Sequence, residues 1–130
     1  MRYALLIYVE PWDSTPEQDR EVMESYNEFG REVAEAGVMR GGEALHESKM
    51  ATSVRVRNGE MLVTDGPFAE TKEEFGGFYM IDVANLDEAI KWAAKIPGAV
   101  RGTIEIRPIV EFPDADAGAP DDVPASIAAG

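Results

Sequence analysis

Residues 3–9 form an uninterrupted apolar run, and this run limits the fold more than any other part of the sequence. Successive side chains of a strand point to opposite faces of its sheet, so Leu5 and Ile7 would face one way and Leu6 and Tyr8 the other. Both sets are apolar, which is typical of a strand that is buried on both faces. The sequence therefore predicts a sheet with other structure packed against each of its faces.

Two helices are indicated by their capping residues. Residues 15–18, Thr-Pro-Glu-Gln, supply a capping hydroxyl, a proline at the first helical position and a glutamine three residues after the threonine, and Gly37 is a natural C-terminal stop. A second helix is predicted to open at Asn85 and to end before Pro97. Spacings of three and four residues predict buried helix faces made of Val22, Tyr26, Phe29, Val33, Leu86, Ile90, Ala93 and Ala94.

The strand pattern predicts the fold class. Strands are expected at residues 3–9, 40–45, 52–57, 60–65, 77–83 and 103–110. Asn58-Gly59 is the favoured pair for a two-residue type I′ turn and predicts a hairpin around it. We interpret the order as β-α-β-β-β-α-β, an α+β ferredoxin-like pattern with one added hairpin strand. Helices would cover one face of such a sheet, so the apolar second face predicts a homodimer that packs sheet against sheet.

Charge and cysteine content exclude several classes of partner. The chain carries a formal charge of −13, whereas binding to nucleic acid or to anionic membranes relies on Lys and Arg, so we expect neither as a direct partner. The lack of cysteine and the single histidine remove the common metal sites, and we expect no metal and no cofactor. The composition fits one cytoplasmic domain at residues 1–112, followed by an acidic tail at 113–130 that is expected to be disordered.

Residues 64–72, Thr-Asp-Gly-Pro-Phe-Ala-Glu-Thr-Lys, connect two predicted strands through more functional groups than a turn requires. The hairpin turn would place Asp65 opposite Thr52, on the same apolar face as Met61 and Val63. A carboxylate at the end of an apolar face is partly desolvated and can act as an acid or a base. The alternative is that Asp65 only caps the turn that follows it.

Other side chains near this segment are further candidates. His46 is the only histidine, and imidazole is the side-chain group best suited to proton transfer near neutral pH, so it is a candidate second acid–base group; a solvated loop residue is the alternative. Glu70, Thr71 and Lys72 could orient a polar ligand over Phe68, or they could form a solvated connection.

Residues 64–78 resemble the motif of the DGPF branch of the YCII-related proteins, and the likeness extends over about residues 1–112. The matching residues are Asp65, Gly66, Pro67, Phe68, Glu70, Thr71, Lys72, Gly76, Gly77 and Phe78. The resemblance implies a dimeric α+β barrel. Members of this branch look like partners of extracytoplasmic-function sigma factors, which implies a regulatory setting.

The wider YCII-related family has a suspected catalytic pair that this chain lacks. The pair is a histidine on the first helix and an aspartate near the end of the second, and the two positions fall at Tyr26 and Ile96 here. The resemblance therefore implies a site built differently, with Asp65 central and with His46 or Tyr26 assisting or contacting a ligand.

Three hypotheses for function follow. The leading one is a small-molecule pocket between sheet and helices, roofed by residues 65–72, in a protein that as an enzyme would use Asp65 for cofactor-independent proton transfer or elimination. The second is a non-catalytic ligand-sensing or regulatory module that acts beside a sigma factor. The third is a structural dimer in which residues 65–68 only set the fold.

Overall fold

The computed structural model of the protein describes residues 1–112, so the acidic tail predicted at 113–130 lies outside the described residues. The helices are α1 (Pro16–Glu35) and α2 (Leu86–Lys95). The strands are β1 (Arg2–Val9), β2 (Met39–Ala44), β3 (Thr52–Arg57), β4 (Glu60–Asp65), β5 (Glu74–Asp82) and β6 (Thr103–Pro108).

The main sheet has the antiparallel strand order β2-β5-β1-β6, and both helices pack on one of its faces. This arrangement confirms the predicted α+β ferredoxin-like class. β3 and β4 pair with each other in a separate two-stranded sheet. The order along the described residues is therefore β-α-β-β-β-β-α-β, and the predicted order was one strand short because the hairpin adds two strands.

The core lies between the main sheet and the helices. Leu5 of β1 and Ile81 of β5 are fully buried, and Val33 of α1 and Ala89 of α2 belong to the same cluster. On the opposite face of the sheet Leu6 is only half-buried, because no described element covers that face. We call this opposite surface the helix-free face; its apolar members are Ala4, Leu6, Tyr8, Phe75, Phe78 and Met80.

The ends of α1 are those that the sequence predicts. The Thr15 hydroxyl accepts a hydrogen bond from the Gln18 backbone N–H at 3.2 Å, and the Gln18 side chain accepts one from the Thr15 backbone N–H at 2.9 Å. These two bonds satisfy donors that the first helical turn leaves free. After the helix, Gly37 takes a φ of 70°, a left-handed conformation that glycine adopts without strain.

The buried face predicted for α2 was wrong in part. Ala89 and Ala93 are buried, whereas Leu86 and Ile90 are 50% and 48% exposed and Ala94 is exposed. Small alanine side chains on the sheet-facing side allow the helix to approach the sheet closely, and the larger side chains then lie at the edge of the contact. A similar deviation occurs in α1, where Val22 is 39% exposed.

The hairpin β3–β4 has the predicted register. Asn58 and Gly59 have φ values of 54° and 76°, as a type I′ turn requires, and Thr52 lies opposite Asp65. The face of the hairpin that carries Val54, Val56, Met61 and Val63 is exposed, each side chain by more than half. We call this surface the hairpin apolar face. Within residues 1–112, neither helix combines the length and the hydrophobicity that a membrane-spanning helix requires.

Candidate functional site

A cavity of about 420 Å³ lies between α1 and the paired strands β2 and β5. Its walls include Ile7, Tyr26 and Tyr79, together with Gly42 and Gly77. We call it the tyrosine cavity. It lies on the helix-covered side of the sheet, because Ile7 and Tyr79 both face the helices.

The cavity exists because two strand positions beside it lack side chains. Gly77 lies opposite Ile7, and Gly42 lies opposite Tyr79, so both glycines occupy positions that face α1. Larger residues are excluded at both positions. A Cβ atom on Gly77 would lie 2.8 Å from the backbone oxygen of Glu43, and a Cβ on Gly42 would meet backbone at 2.7 Å.

The end of β5 adds a local irregularity to this wall. The pairing of β1 with β5 shifts register between Ile7 and Tyr8, and Gly76 has no partner in β1. Such a bulge bends the strand and changes the direction of its side chains, and glycine is common at such positions. Pairing with β1 continues beyond the bulge, so β5 begins at Glu74, three residues before the predicted start at Gly77.

Tyr26 and Tyr79 place two phenol groups in the cavity. Burial is the main cause that raises the pKa of Tyr26 above its usual 10.0, and a backbone hydrogen bond from Gly98 acts in the opposite direction. The pKa of Tyr79 is raised first by burial and then by its proximity to Tyr26. Both hydroxyls therefore keep their protons at neutral pH and are hydrogen-bond donors. Phe29 packs on the Tyr79 ring at 5.0 Å between centroids and holds that side chain in place.

The cavity wall carries little charge, because Glu43 lies opposite Phe78 of β5 and its side chain therefore points to the helix-free face. Glu43 is the only carboxylate among the described residues that line it, and none of those residues is Lys, Arg or His. Valine, isoleucine and tyrosine side chains make the rest of the wall largely apolar. The cavity therefore offers hydrogen-bond donors and apolar surface, and no positive charge.

His46 lies in a different place. It lines an open groove of about 820 Å³ with Trp12, Glu74 and Phe75. The Arg101 guanidinium stacks on the Trp12 ring, 3.4 Å from its centroid, and restrains this rim residue. We call it the His46 groove.

Asp65 is exposed and lines neither the tyrosine cavity nor the His46 groove. Within residues 1–112 its side chain makes no hydrogen bond. Instead, the turn after it is held by the Gly66 N–H, which donates to the Ala51 carbonyl at 2.7 Å, and by the Ser53 hydroxyl, which donates to the Gly66 carbonyl at 2.8 Å. A single chain thus supplies neither the desolvation nor the turn-capping role that we considered for this carboxylate.

The rest of the motif forms an exposed loop outside the tyrosine cavity. The Phe68 side chain is 81% exposed, and Glu70 and Lys72 are exposed as well. Thr71 has a structural role, because its hydroxyl donates to the Glu73 carbonyl at 2.6 Å. The Glu73 carboxylate accepts a hydrogen bond from Thr103 at 2.8 Å, which ties the end of the loop to β6.

The structure thus separates the residues that the sequence groups together. Tyr26 is joined by Tyr79, a residue that the sequence interpretation missed, and not by Asp65 or His46. Its position in β5 could have identified Tyr79 as a cavity residue, because it follows Gly77 by two residues and therefore faces the helices. The expected roof of residues 65–72 is not part of this cavity in a single chain.

Comparison with known proteins assigns the chain to a family. The profile of the YCII-related domain matches residues 1–113. The chain belongs to the YCII-related family. A relative of this YCII-related protein from Rhizobium meliloti (strain 1021), described as uncharacterized, is 39% identical over 119 residues, which cover 86% of this chain and 94% of the relative. Membership of the DGPF branch stays a prediction that rests on the motif.

Proposed function

We propose that this YCII-related protein binds a small molecule in the tyrosine cavity. The observation that supports the proposal is that the cavity combines an apolar wall with two protonated hydroxyls, those of Tyr26 and Tyr79. Two glycines in the neighbouring strands leave room for this space. Small-molecule sites in proteins are of this kind, concave and mostly apolar with a few convergent polar groups, and have volumes of about 300–1,000 Å³.

The experiment is a fragment screen by protein NMR on the wild type and on matched tyrosine variants. Tyr26→Phe and Tyr79→Phe each remove one cavity hydroxyl and keep the ring, so hits in the tyrosine cavity should lose affinity by about three- to tenfold. Tyr8→Phe is the control, because Tyr8 lies on the helix-free face. Hits that respond equally to all three substitutions would contradict the proposal.

The same proposal includes a homodimer that covers the helix-free face. Leu6, Phe78 and Met80 are apolar and only half-buried there, which is unusual for a surface that meets water alone. A second copy packed sheet against sheet would bury this apolar surface on both copies at once.

A finer version of the proposal makes the protein a cofactor-independent enzyme that uses Asp65 for proton transfer or elimination, with His46 as a second group. It requires a second copy to cover the hairpin, because Asp65 is exposed in a single chain. The loop residues Phe68, Glu70 and Lys72 would then contact the substrate. The test is Asp65→Asn, which should abolish turnover of any substrate found and leave its binding nearly unchanged; turnover that survives the change would contradict this version.

The alternative function is a non-catalytic cytoplasmic module that senses a ligand or acts beside an extracytoplasmic-function sigma factor. The hairpin apolar face favours a protein partner, because two paired strands alone are marginally stable and gain from being covered. Binding to a purified sigma factor of this class, measured by calorimetry, would be weakened by Val56→Gln on that face. The control Leu62→Gln changes the opposite face, and equal effects of both would contradict a role for the hairpin apolar face.

A further inference from the structure

We propose that the ligand of the tyrosine cavity is an uncharged molecule with a hydrogen-bond acceptor such as a ketone or amide oxygen, and not an organic acid. This inference rests on the proposed function and specifies the chemistry of the same site.

The charge of the cavity wall disfavours an anionic ligand. A carboxylate that leaves water for an apolar cavity needs a cation or several hydrogen-bond donors, and unpaired burial of charge is strongly unfavourable. The described residues that line the cavity contain no cation and one carboxylate, Glu43. Residues 113–130 contain no Lys or Arg either, so the tail of the same chain has no positive side chain to offer. An anionic ligand would therefore be desolvated without a cation to pair with it.

The polar groups of the cavity favour a ligand that accepts hydrogen bonds. Burial raises the pKa of Tyr26, so this hydroxyl keeps its proton at neutral pH and can donate a hydrogen bond. The Tyr79 hydroxyl is the second phenol in the same cavity. A neutral carbonyl oxygen has two lone pairs and matches these donors without bringing a charge out of water.

The apolar part of the cavity wall indicates the body of the ligand. The remaining wall consists largely of Ile7, Val9, the two tyrosine rings and glycine backbone. The volume of about 420 Å³ is near the lower end for small-molecule sites, so a body of one or two rings fits it. Aromatic or alicyclic ketones and amides combine such a body with a neutral acceptor.

An organic cation is a weaker candidate than a neutral molecule. Glu43 is exposed to solvent and lies opposite Phe78 of the helix-free face, so its carboxylate attracts an amine in the cavity only weakly. The phenol oxygens can accept hydrogen bonds from an ammonium, but no carboxylate of the described residues faces the cavity to pair with its charge.

The test compares three probes of matched shape, acetophenone, benzoate and benzylamine, by calorimetry on the full-length protein at neutral pH. We expect acetophenone to bind more than about tenfold more tightly than benzoate, because only benzoate must lose the hydration of a charge. Tyr26→Phe and Tyr79→Phe should weaken acetophenone binding by about three- to tenfold each, and Tyr8→Phe should leave it unchanged.

The outcomes separate this inference from the proposed function. Preference for benzoate or benzylamine, with sensitivity to the Tyr26 and Tyr79 changes, would overturn the inference and leave the cavity as a binding site. Binding of none of the three probes, or binding indifferent to both cavity tyrosines, would overturn the inference and the proposed function together. Circular dichroism of each variant shows that a lost signal comes from the missing hydroxyl and not from unfolding.

Discussion

The backbone of Gly77 approaches that of Glu43 so closely that a Cβ atom on Gly77 would lie 2.8 Å from the Glu43 carbonyl oxygen. This contact joins β5 to β2 and keeps a position facing α1 free of any side chain. The glycine therefore shapes the tyrosine cavity and the sheet edge together, and the fold and the proposed site depend on one residue.

Gly77→Ala should lower the free energy of unfolding by about 1–3 kcal/mol, because the added methyl meets backbone that cannot move away easily. Gly76→Ala is the matched control, since its nearest contact is Val9 Cγ2 at an ordinary 3.7 Å. Urea unfolding of both variants checks the prediction. Equal stability of the two variants would contradict the close approach of β5 and β2.

Gly66→Ala should destabilise the protein by about 1–3 kcal/mol for a different reason. Gly66 has a φ of 104°, which an alanine rarely adopts, although its surroundings are open. Gly30→Ala, in the helical conformation of α1 and equally open, should stabilise by about 0.5–1 kcal/mol. Opposite signs in urea unfolding support the backbone explanation; the same sign for both would contradict it.

Tyr26 should ionise above pH 10.0, because burial raises its pKa. A phenol whose pKa is higher in the folded protein contributes stability below pH 10.0 that is lost as the pH rises through the folded pKa. The measurement is the tyrosinate absorbance against pH for the wild type and Tyr26→Phe. The difference curve should have its midpoint above pH 10.0, and a midpoint at or below that pH would contradict burial of this hydroxyl.

Leu6→Gln should weaken the proposed homodimer by more than about tenfold, since it buries an amide without a partner on the helix-free face. Leu62→Gln is the control on the hairpin, where the side chain points away from the hairpin apolar face. Sedimentation equilibrium of both variants, with circular dichroism to confirm folding, gives the answer. A monomeric wild type, or equal dissociation of both variants, would contradict packing through this face.

The sequence predicted the local structure well wherever a few adjacent residues decide it. Asn58-Gly59 determines the hairpin turn, and the turn fixes the register that places Asp65 opposite Thr52. The box of Thr15 and Gln18 likewise fixes the start of α1, because both partners lie within one turn.

The sequence could not predict how the helices and strands pack against one another. The parity of β4 shows which face Asp65 is on, but the hairpin leaves the main sheet, and that face stays exposed in a single chain. In α2 the alanines, and not the larger Leu86 and Ile90, face the sheet, because close packing favours small side chains there. Tyr26 was a candidate from the sequence, whereas its pairing with Tyr79 depends on how α1 lies over β5.

The most direct test of the tyrosine cavity as a ligand site is a crystal structure of the protein soaked with acetophenone. We predict the ketone in the space between α1 and β5, with its oxygen about 2.6–3.2 Å from the hydroxyl of Tyr26 or Tyr79. A cavity filled by side chains of a second copy, or left empty while the compound binds elsewhere, would contradict the account.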